Sequence, residues 1–172
     1  MTDIRDATPA DVDRIKHLAI VNEMFAPEEV TFFDEILAGF FDGSLEGHRW
    51  IVAVGDGNAA AVDDGREELA AAAYYAPEPF SDRMWNLYFI ATDPDQQGSG
   101  AGTALIEQVE SALRDAGPDV ARTLIVDTSS MDGYEQARTF YERRGFVEEA
   151  RIRDFYGPGD HKVTFWKSLV AS

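Results

Sequence analysis

Alternating glycines stand between two regular stretches of this chain: Ile90-Ala91-Thr92-Asp93-Pro94-Asp95-Gln96-Gln97-Gly98-Ser99-Gly100-Ala101-Gly102-Thr103-Ala104-Leu105. The segment begins as a strand and ends with the apolar spacing of a helix. Glycine lets successive backbone N–H groups turn toward one point without a Cβ in the way. The first N–H groups of a helix also lack partners within it. Together such donors make a cradle for phosphate. Two common phosphate loops do not fit. No Lys follows the glycines, as a P-loop requires. Gly98 to Thr103 reads G-x-G-x-G without the last Gly/Ala of a dinucleotide fingerprint, and Asp93 to Gln97 intervene where that fold turns tightly. A Gly-rich connector with no ligand stays open.

Other chemistry is sparse. There is no cysteine, hence no thiolate nucleophile, disulfide or thiolate metal site. His17, His48 and His161 lie far apart with no i,i+4 pair, so no metal is expected. Tyr141, taken by itself, reads as a core side chain on the stripe Ala137, Phe140, Tyr141.

The elements that must position these groups follow from periodicity. Ile4 to Ala7 is predicted as a short strand. Thr8-Pro9-Ala10-Asp11 starts a helix, with Thr8 as N-cap and Pro9 at the first helical position. Val12, Ile15, Leu18 and Ala19 continue it. After Pro27 a second amphipathic helix carries Val30, Phe33, Ile36, Leu37, Phe40 and Phe41. Trp50 to Val54 and Leu69 to Ala76 are strands, with Gly55 to Glu67 as a loop between them. Trp85 to Thr92 is a strand. Its alternation puts Asn86, Tyr88, Ile90 and Thr92 on one face and Trp85, Leu87, Phe89 and Ala91 on the other. A helix from Gly102 to Ala116 follows, then a strand from Arg122 to Thr128 and a helix from Gln136 to Arg144. Phe146 to Tyr156 and Val163 to Leu169 are strands joined by the Gly157-Pro158-Gly159-Asp160 turn. The order β-α-α-β-β-β-α-β-α-β-β predicts one α/β (α+β) domain over residues 1–172. Its sheet is mixed and mostly antiparallel, with six to seven strands, about four helices and a central βαβ crossover.

The length of 172 residues fits one domain. Lys and Arg number 15 against 32 Asp and Glu, a formal charge of −17. Such a charge repels nucleic acid and anionic membranes, so neither is an expected partner. The acids are scattered rather than gathered in a tail, and only three of the basic residues are Lys. This pattern predicts a solvated acidic shell and a halophilic source, where salt screens self-repulsion. The N-terminus lacks the basic and apolar regions of a signal peptide, and no apolar run reaches a membrane span. The cytoplasm is the expected location.

Two motifs resemble one family. Gln97-Gly98-Ser99-Gly100-Ala101-Gly102 matches the Q/R-x-x-G-x-G/A signature of the GNAT superfamily of N-acetyltransferases. Ala137-Arg138-Thr139-Phe140-Tyr141-Glu142-Arg143-Arg144-Gly145-Phe146 resembles that family's A-x-x-F-Y-x-x-x-G-F helix, and the two stand in the family's order and spacing. The resemblance implies a GNAT fold and direct transfer of an acetyl group from acetyl-CoA, the cosubstrate, to a primary amine. It implies cofactor contacts at Gln97, Gly98, Ser99, Gly100, Ala101, Gly102 and Thr103. It further implies backbone pairing of pantetheine along Ile90, Ala91 and Thr92, with the two parallel strands splayed, and contacts at Tyr134 and Ala137. Tyr134 stands where many relatives carry Asn, and Gln97 where many carry Arg. Tyr141 matches the general acid to the departing thiolate, and Asn86 and Tyr88 complete the catalytic set. The general base stays open between a water held by Asn86 and Tyr88 and a carboxylate among Glu28, Glu29, Asp34 and Glu35. Met24, Phe25, Phe32, Phe33, Tyr75, Phe155 and Tyr156 are candidates to line the acceptor end, and Arg138, Arg143 and Arg144 to meet the 3′-phosphate. The amine is unidentified, and a homodimer stays open. A second reading is a GNAT-like module that binds acyl-CoA without turnover, as a sensor or regulator.

Overall fold

Two strands running in parallel need a crossover between them, and here a helix supplies it. In the computed structural model, which describes residues 2–55 and 68–171, β4 (Met84–Thr92) is followed by helix α3 (Ala101–Ala116) and then β5 (Thr123–Ser129). The parallel pairing joins Met84 to Thr123, Trp85 to Leu124 and Asn86 to Ile125. The remaining strands are β1 (Asp3–Asp6), β2 (Arg49–Val54), β3 (Leu69–Pro77), β6 (Val147–Gly157) and β7 (Asp160–Ser168). These seven strands of the described residues form one sheet in the order β1-β2-β3-β4-β5-β7-β6. β1–β2, β2–β3, β5–β7 and β6–β7 pair antiparallel. This is the mixed, mostly antiparallel α/β sheet expected from the sequence. The other helices are α1 (Val12–Val21), α2 (Phe32–Phe41) and α4 (Glu135–Arg143). No helix among the described residues is long and apolar enough to cross a membrane.

The chain divides into two compact units, Met1–Ala76 with Phe89–Val109, and Pro77–Tyr88 with Glu110–Ser172. In the first, the Asp11 carboxylate accepts from the Thr8 N–H at 2.7 Å and the Thr8 hydroxyl at 2.9 Å. Arg5 donates to it at 2.8 Å. Burial alone would raise the Asp11 pKa, but these donors outweigh it and hold the carboxyl below its ordinary value. The start of α1 is therefore fixed much as the Thr8-Pro9-Asp11 spacing predicts, with a short 3-10 turn before the helix proper. The buried faces of α1 (Ile15, Leu18, Ala19) and α2 (Phe33, Leu37) join Trp50, Val52, Leu69, Tyr74 and Phe89 in one core. Phe33 packs edge-on against Trp50 at 5.5 Å and Phe89 at 5.3 Å. Side chains of this size contribute roughly 1.5–3 kcal/mol each when buried. Leu69 to Ala76 is buried on both faces. The run Ala70–Ala73 suits a central strand covered on both sides.

The second unit centres on Leu124, Val126, Tyr141, Phe146, Val163 and Phe165, all buried. Lys167 donates to Glu110 at 2.6 Å and to the Arg144 carbonyl at 2.5 Å, tying the end of α4 to the C-terminal part of α3. The edge strand β6 is exposed along nearly its whole length. Its Glu148, Glu149, Arg151 and Arg153 are charges of the kind that guard a sheet edge.

The structure differs from the sequence reading at a few boundaries. Helix α3 begins at Ala101, so Gly102 belongs to its first turn. Phe146 is buried ahead of β6 rather than inside it. β6 is also not one regular strand, because its register shifts between Ile152 and Gly157, with Asp154 at φ +54. The final turn is shorter than expected, since Gly157 pairs directly with Asp160. The loop expected between β2 and β3 falls on residues 56–67, outside the described residues. The Gly55 N–H donates to the Glu68 carbonyl at 2.8 Å.

Candidate active site

The glycine loop is anchored before it begins. At the end of β4 the Asn22 side chain donates to the Thr92 carbonyl at 3.0 Å. The Asp93 N–H donates to the Ala70 carbonyl at 2.8 Å. The Asp93 carboxylate accepts from the Asp95 N–H at 2.8 Å and pairs with Arg14. A 3-10 turn, Pro94–Gln96, carries the chain onward. Gly98 and Gly100 then adopt φ of +83 and +89, and a Cβ on either would meet no other atom within 4 Å. Neither amide donates to a backbone acceptor among the described residues. The Ala101, Gly102 and Thr103 amides open the helix, and the Ser99 hydroxyl lies 3.3 Å from the first of them. A helix N-terminus carries about half a positive charge. No acidic residue occupies the first turn of α3, in a chain of charge −17.

The arrangement fits a phosphate cradle made of backbone donors, in which two glycines, not three, provide the left-handed turns. Gln97, Gly98, Ser99, Gly100, Ala101, Gly102 and Thr103 are contiguous in it. Ile90 and Thr92 are partly exposed just upstream, whereas the Ala91 side chain is buried in the core and offers only backbone. Arg14, Asn22 and Asp93, which hold this junction, were not foreseen.

Asn86 and Tyr88 meet on a carboxylate that the sequence reading passed over. Glu78 opens the turn between β3 and β4, and its N–H donates to the Met84 carbonyl at 2.8 Å. Its Oε2 accepts from Asn86 Nδ2 at 3.0 Å and from the Tyr88 hydroxyl at 2.8 Å. Asp82, paired with Arg83 and with Arg122 at 2.8 Å each, braces the turn. The other candidate carboxylates belong to the first unit. Glu28, Glu29, Asp34 and Glu35 are all exposed. Glu29 accepts from the Ala26 N–H at 2.7 Å, and Asp34 pairs with Lys16.

Helix α4 places Tyr141 in an aromatic nest, 5.7 Å from Phe140 and Phe165 and 6.0 Å from Phe146. The side chain is buried. Burial pushes the phenol well above the ordinary tyrosine value, and Tyr156 adds to the shift. Ala137 lies one turn earlier, and Tyr134 closes the 3-10 turn ahead of the helix; both are partly exposed. Arg138 donates to the carbonyls of Ser129 at 2.7 Å and Met131 at 2.9 Å, so its guanidinium clamps the link from β5 to α4. Of the aromatic candidates, Phe33 and Tyr75 are buried, while Phe32, Phe155 and Tyr156 are exposed. Phe25, Phe32 and Phe33 pack edge-on at 4.5–5.4 Å.

A consequence for stability follows from the tyrosines. Burial raises Tyr74 and Tyr156 from 10.0 to about 12, and Tyr141 is raised as well. A raised folded value contributes stability that is complete below the unfolded value and lost as pH rises through the folded one. The melting temperature should therefore hold up to about pH 10 and fall steeply toward pH 12, together with tyrosinate absorbance. Unchanged stability while all the tyrosines ionise would contradict the buried placement.

Residues 46–148 match the acetyltransferase (GNAT) domain family. A Desulfovibrio desulfuricans protein assigned to the GNAT family is 29% identical, with a TM-score of 0.82 over 99% of this chain and 100% of that one. An aminoglycoside 6′-N-acetyltransferase solved with coenzyme A has a TM-score of 0.73 at 15% identity, over 99% and 98% of the two chains. The ribosomal-protein-S18-alanine N-acetyltransferase of Escherichia coli has a TM-score of 0.69 at 19% identity, over 100% and 96%. At such identities the last two likenesses concern the fold alone. No curated protein sequence matches the chain.

Proposed function

We propose that this chain, which belongs to the GNAT family of acetyltransferases and is an acyltransferase, moves the acetyl group of acetyl-CoA directly to a primary amine. The observation that carries the cofactor is the loop. Gly98 and Gly100 turn left-handed into open space at the start of a helix whose first turn holds no acid. The amides of Gly98, Gly100, Gly102 and Thr103 would hold the pyrophosphate, with Gln97, Ser99, Ala101, Tyr134 and Ala137 as further contacts; the Ser99 N–H is already given to the Gln96 carbonyl at 3.1 Å. The backbone of Ile90, Ala91 and Thr92 would meet pantetheine in the manner of an added strand. Acetyl-CoA supplies the activated thioester. Tyr141 keeps its proton through neutral pH and donates it to the sulfur as the C–S bond breaks.

The same reading takes residues 1–172 as one acetyltransferase domain in the cytoplasm of a salt-adapted cell. It needs neither nucleic acid nor membrane, and a homodimer is compatible with it.

A thermal-shift titration tests it. Ligand at a hundredfold excess over Kd stabilises by about 2.7 kcal/mol. For a chain of this size that is a rise in Tm of roughly 5–10 °C. Acetyl-CoA should produce such a rise, and Gly100→Ala should lose most of it. A Cβ at φ +89 is strained by roughly 1–2 kcal/mol and enters the space the phosphates would fill. No shift in the unaltered chain, or an equal shift in a folded Gly100→Ala, would refute the cradle.

A further inference from the structure

We infer that Glu78 is the group that binds the acceptor amine as an ammonium and takes its proton, with the Asn86 carbonyl oxygen as a second acceptor. The inference rests on the acetyltransferase reading and names the acceptor class within it: small cationic alkylamines.

An unsatisfied atom points to the ligand. Asn86 is 4% exposed, and its Oδ1 is buried without a hydrogen-bond partner. The amide cannot be turned around, because an ionised carboxylate only accepts, so the NH2 end must face Glu78. An orphaned buried acceptor costs about 1–3 kcal/mol, and most buried polar atoms find a partner. Glu78 Oε2 is taken by Asn86 and Tyr88. Its Oε1 receives no hydrogen bond from a described residue, and the side chain is partly exposed. Two acceptors with unused capacity therefore belong to one hydrogen-bonded cluster, one a carboxylate and one a neutral amide oxygen. An alkylammonium brings three donors and a positive charge.

The surrounding charges favour the same class. The neighbouring guanidiniums of Arg83 and Arg122 are tied to Asp82, which leaves no unpaired cation in the turn to welcome a carboxylate on the acceptor. A zwitterionic amino acid should be a poor substrate.

The step balances. The ammonium gives one proton to Glu78, and the freed nitrogen lone pair forms the C–N bond as the C–S bond breaks. The nitrogen's second proton leaves to water as the amide forms, Tyr141 gives its proton to the thiolate and regains one from water, and Glu78 releases its own to water.

The test is thiol release from acetyl-CoA with a panel of primary alkylamines and diamines beside matched amino acids. Each variant is also checked for its acetyl-CoA thermal shift. The unaltered chain should turn over alkylamines and prefer them to amino acids at least tenfold. Glu78→Gln keeps the shape and can still accept from Asn86 and Tyr88. It should raise the KM for the amine about tenfold and lower kcat about a hundredfold, with the acetyl-CoA shift unchanged. Asn86→Leu removes the orphaned oxygen and should keep the fold while raising the KM for the amine. If Oδ1 merely holds a structural water, Asn86→Leu will change Tm and leave the KM unmoved, which overturns its role. Full activity in Glu78→Gln, or no turnover of any alkylamine despite a normal acetyl-CoA shift, overturns the inference and leaves the acetyltransferase reading standing. The absence of any acetyl-CoA shift removes both.

Discussion

Replacing Tyr141 by Phe will lower kcat about a hundredfold and leave the acetyl-CoA thermal shift intact. The substitution removes one oxygen from a side chain packed among Phe140, Phe146 and Phe165. No hydrogen bond joins that oxygen to another described residue, so the fold loses little. The chemistry loses more. Positioned general acids contribute about 10²–10⁴ in rate, and a hundredfold is about 2.7 kcal/mol of barrier. Burial makes the phenol a weaker acid than an ordinary tyrosine. In this role the hydroxyl donates to the charge that develops on the sulfur. The same shift keeps the group protonated beyond pH 10, so Tyr141 should add no alkaline limb to the pH–rate profile below that value. Steady-state kinetics with saturating amine, set beside the thermal shift, decide the matter. Unchanged kcat would return Tyr141 to the aromatic core, and a lost acetyl-CoA shift would make its role one of binding.

What the sequence disclosed depended on whether a signal was local. Thr8-Pro9-Asp11 specifies its own geometry within four residues, and the helix start was legible. So was the strand–glycine–helix join, because left-handed turns favour glycine. Which glycines turn was not legible: Gly102 lies in α3, since a helix start also tolerates glycine. Glu78 was hidden for two reasons. In a chain with 32 acids a single carboxylate carries little information, and Pro77 and Pro79 mark its surroundings as a turn and nothing more. Only the closure of that turn, with the Glu78 N–H on the Met84 carbonyl, sets its side chain against Asn86 and Tyr88. Arg14 and Asp93 are 79 positions apart in sequence, and nothing in a single chain links them before it folds. The register shift near Asp154 had a signal that went unread: the doublets Arg153-Asp154 and Phe155-Tyr156 break the alternation of the run from Val147 to Gly157 where the register shifts.

Salt should change this enzyme more than any single surface substitution. The net charge of −17 opposes both compaction and the approach of polyanionic acetyl-CoA. The cradle has little to set against that field, because Gln97 is uncharged and the loop offers amides and a helix terminus. Those donors act at contact distance and are screened little, whereas the repulsion of the whole acidic surface acts over a Debye length. That length falls from about 10 Å at 0.1 M salt to about 3 Å at 1 M. Long-range fields change encounter rates by about 10–10³. The KM for acetyl-CoA should therefore fall about tenfold between 0.1 M and 2 M KCl, and Tm should rise over the same range. The KM for a cationic amine should move the other way, because the same acidic field draws it in at low salt. Sucrose separates the causes: an excluded but uncharged solute raises Tm through effective burial and leaves both KM values where they were. Equal activity and stability in dilute buffer and molar KCl would remove the salt-adapted reading. The acidic shell would then serve solubility alone.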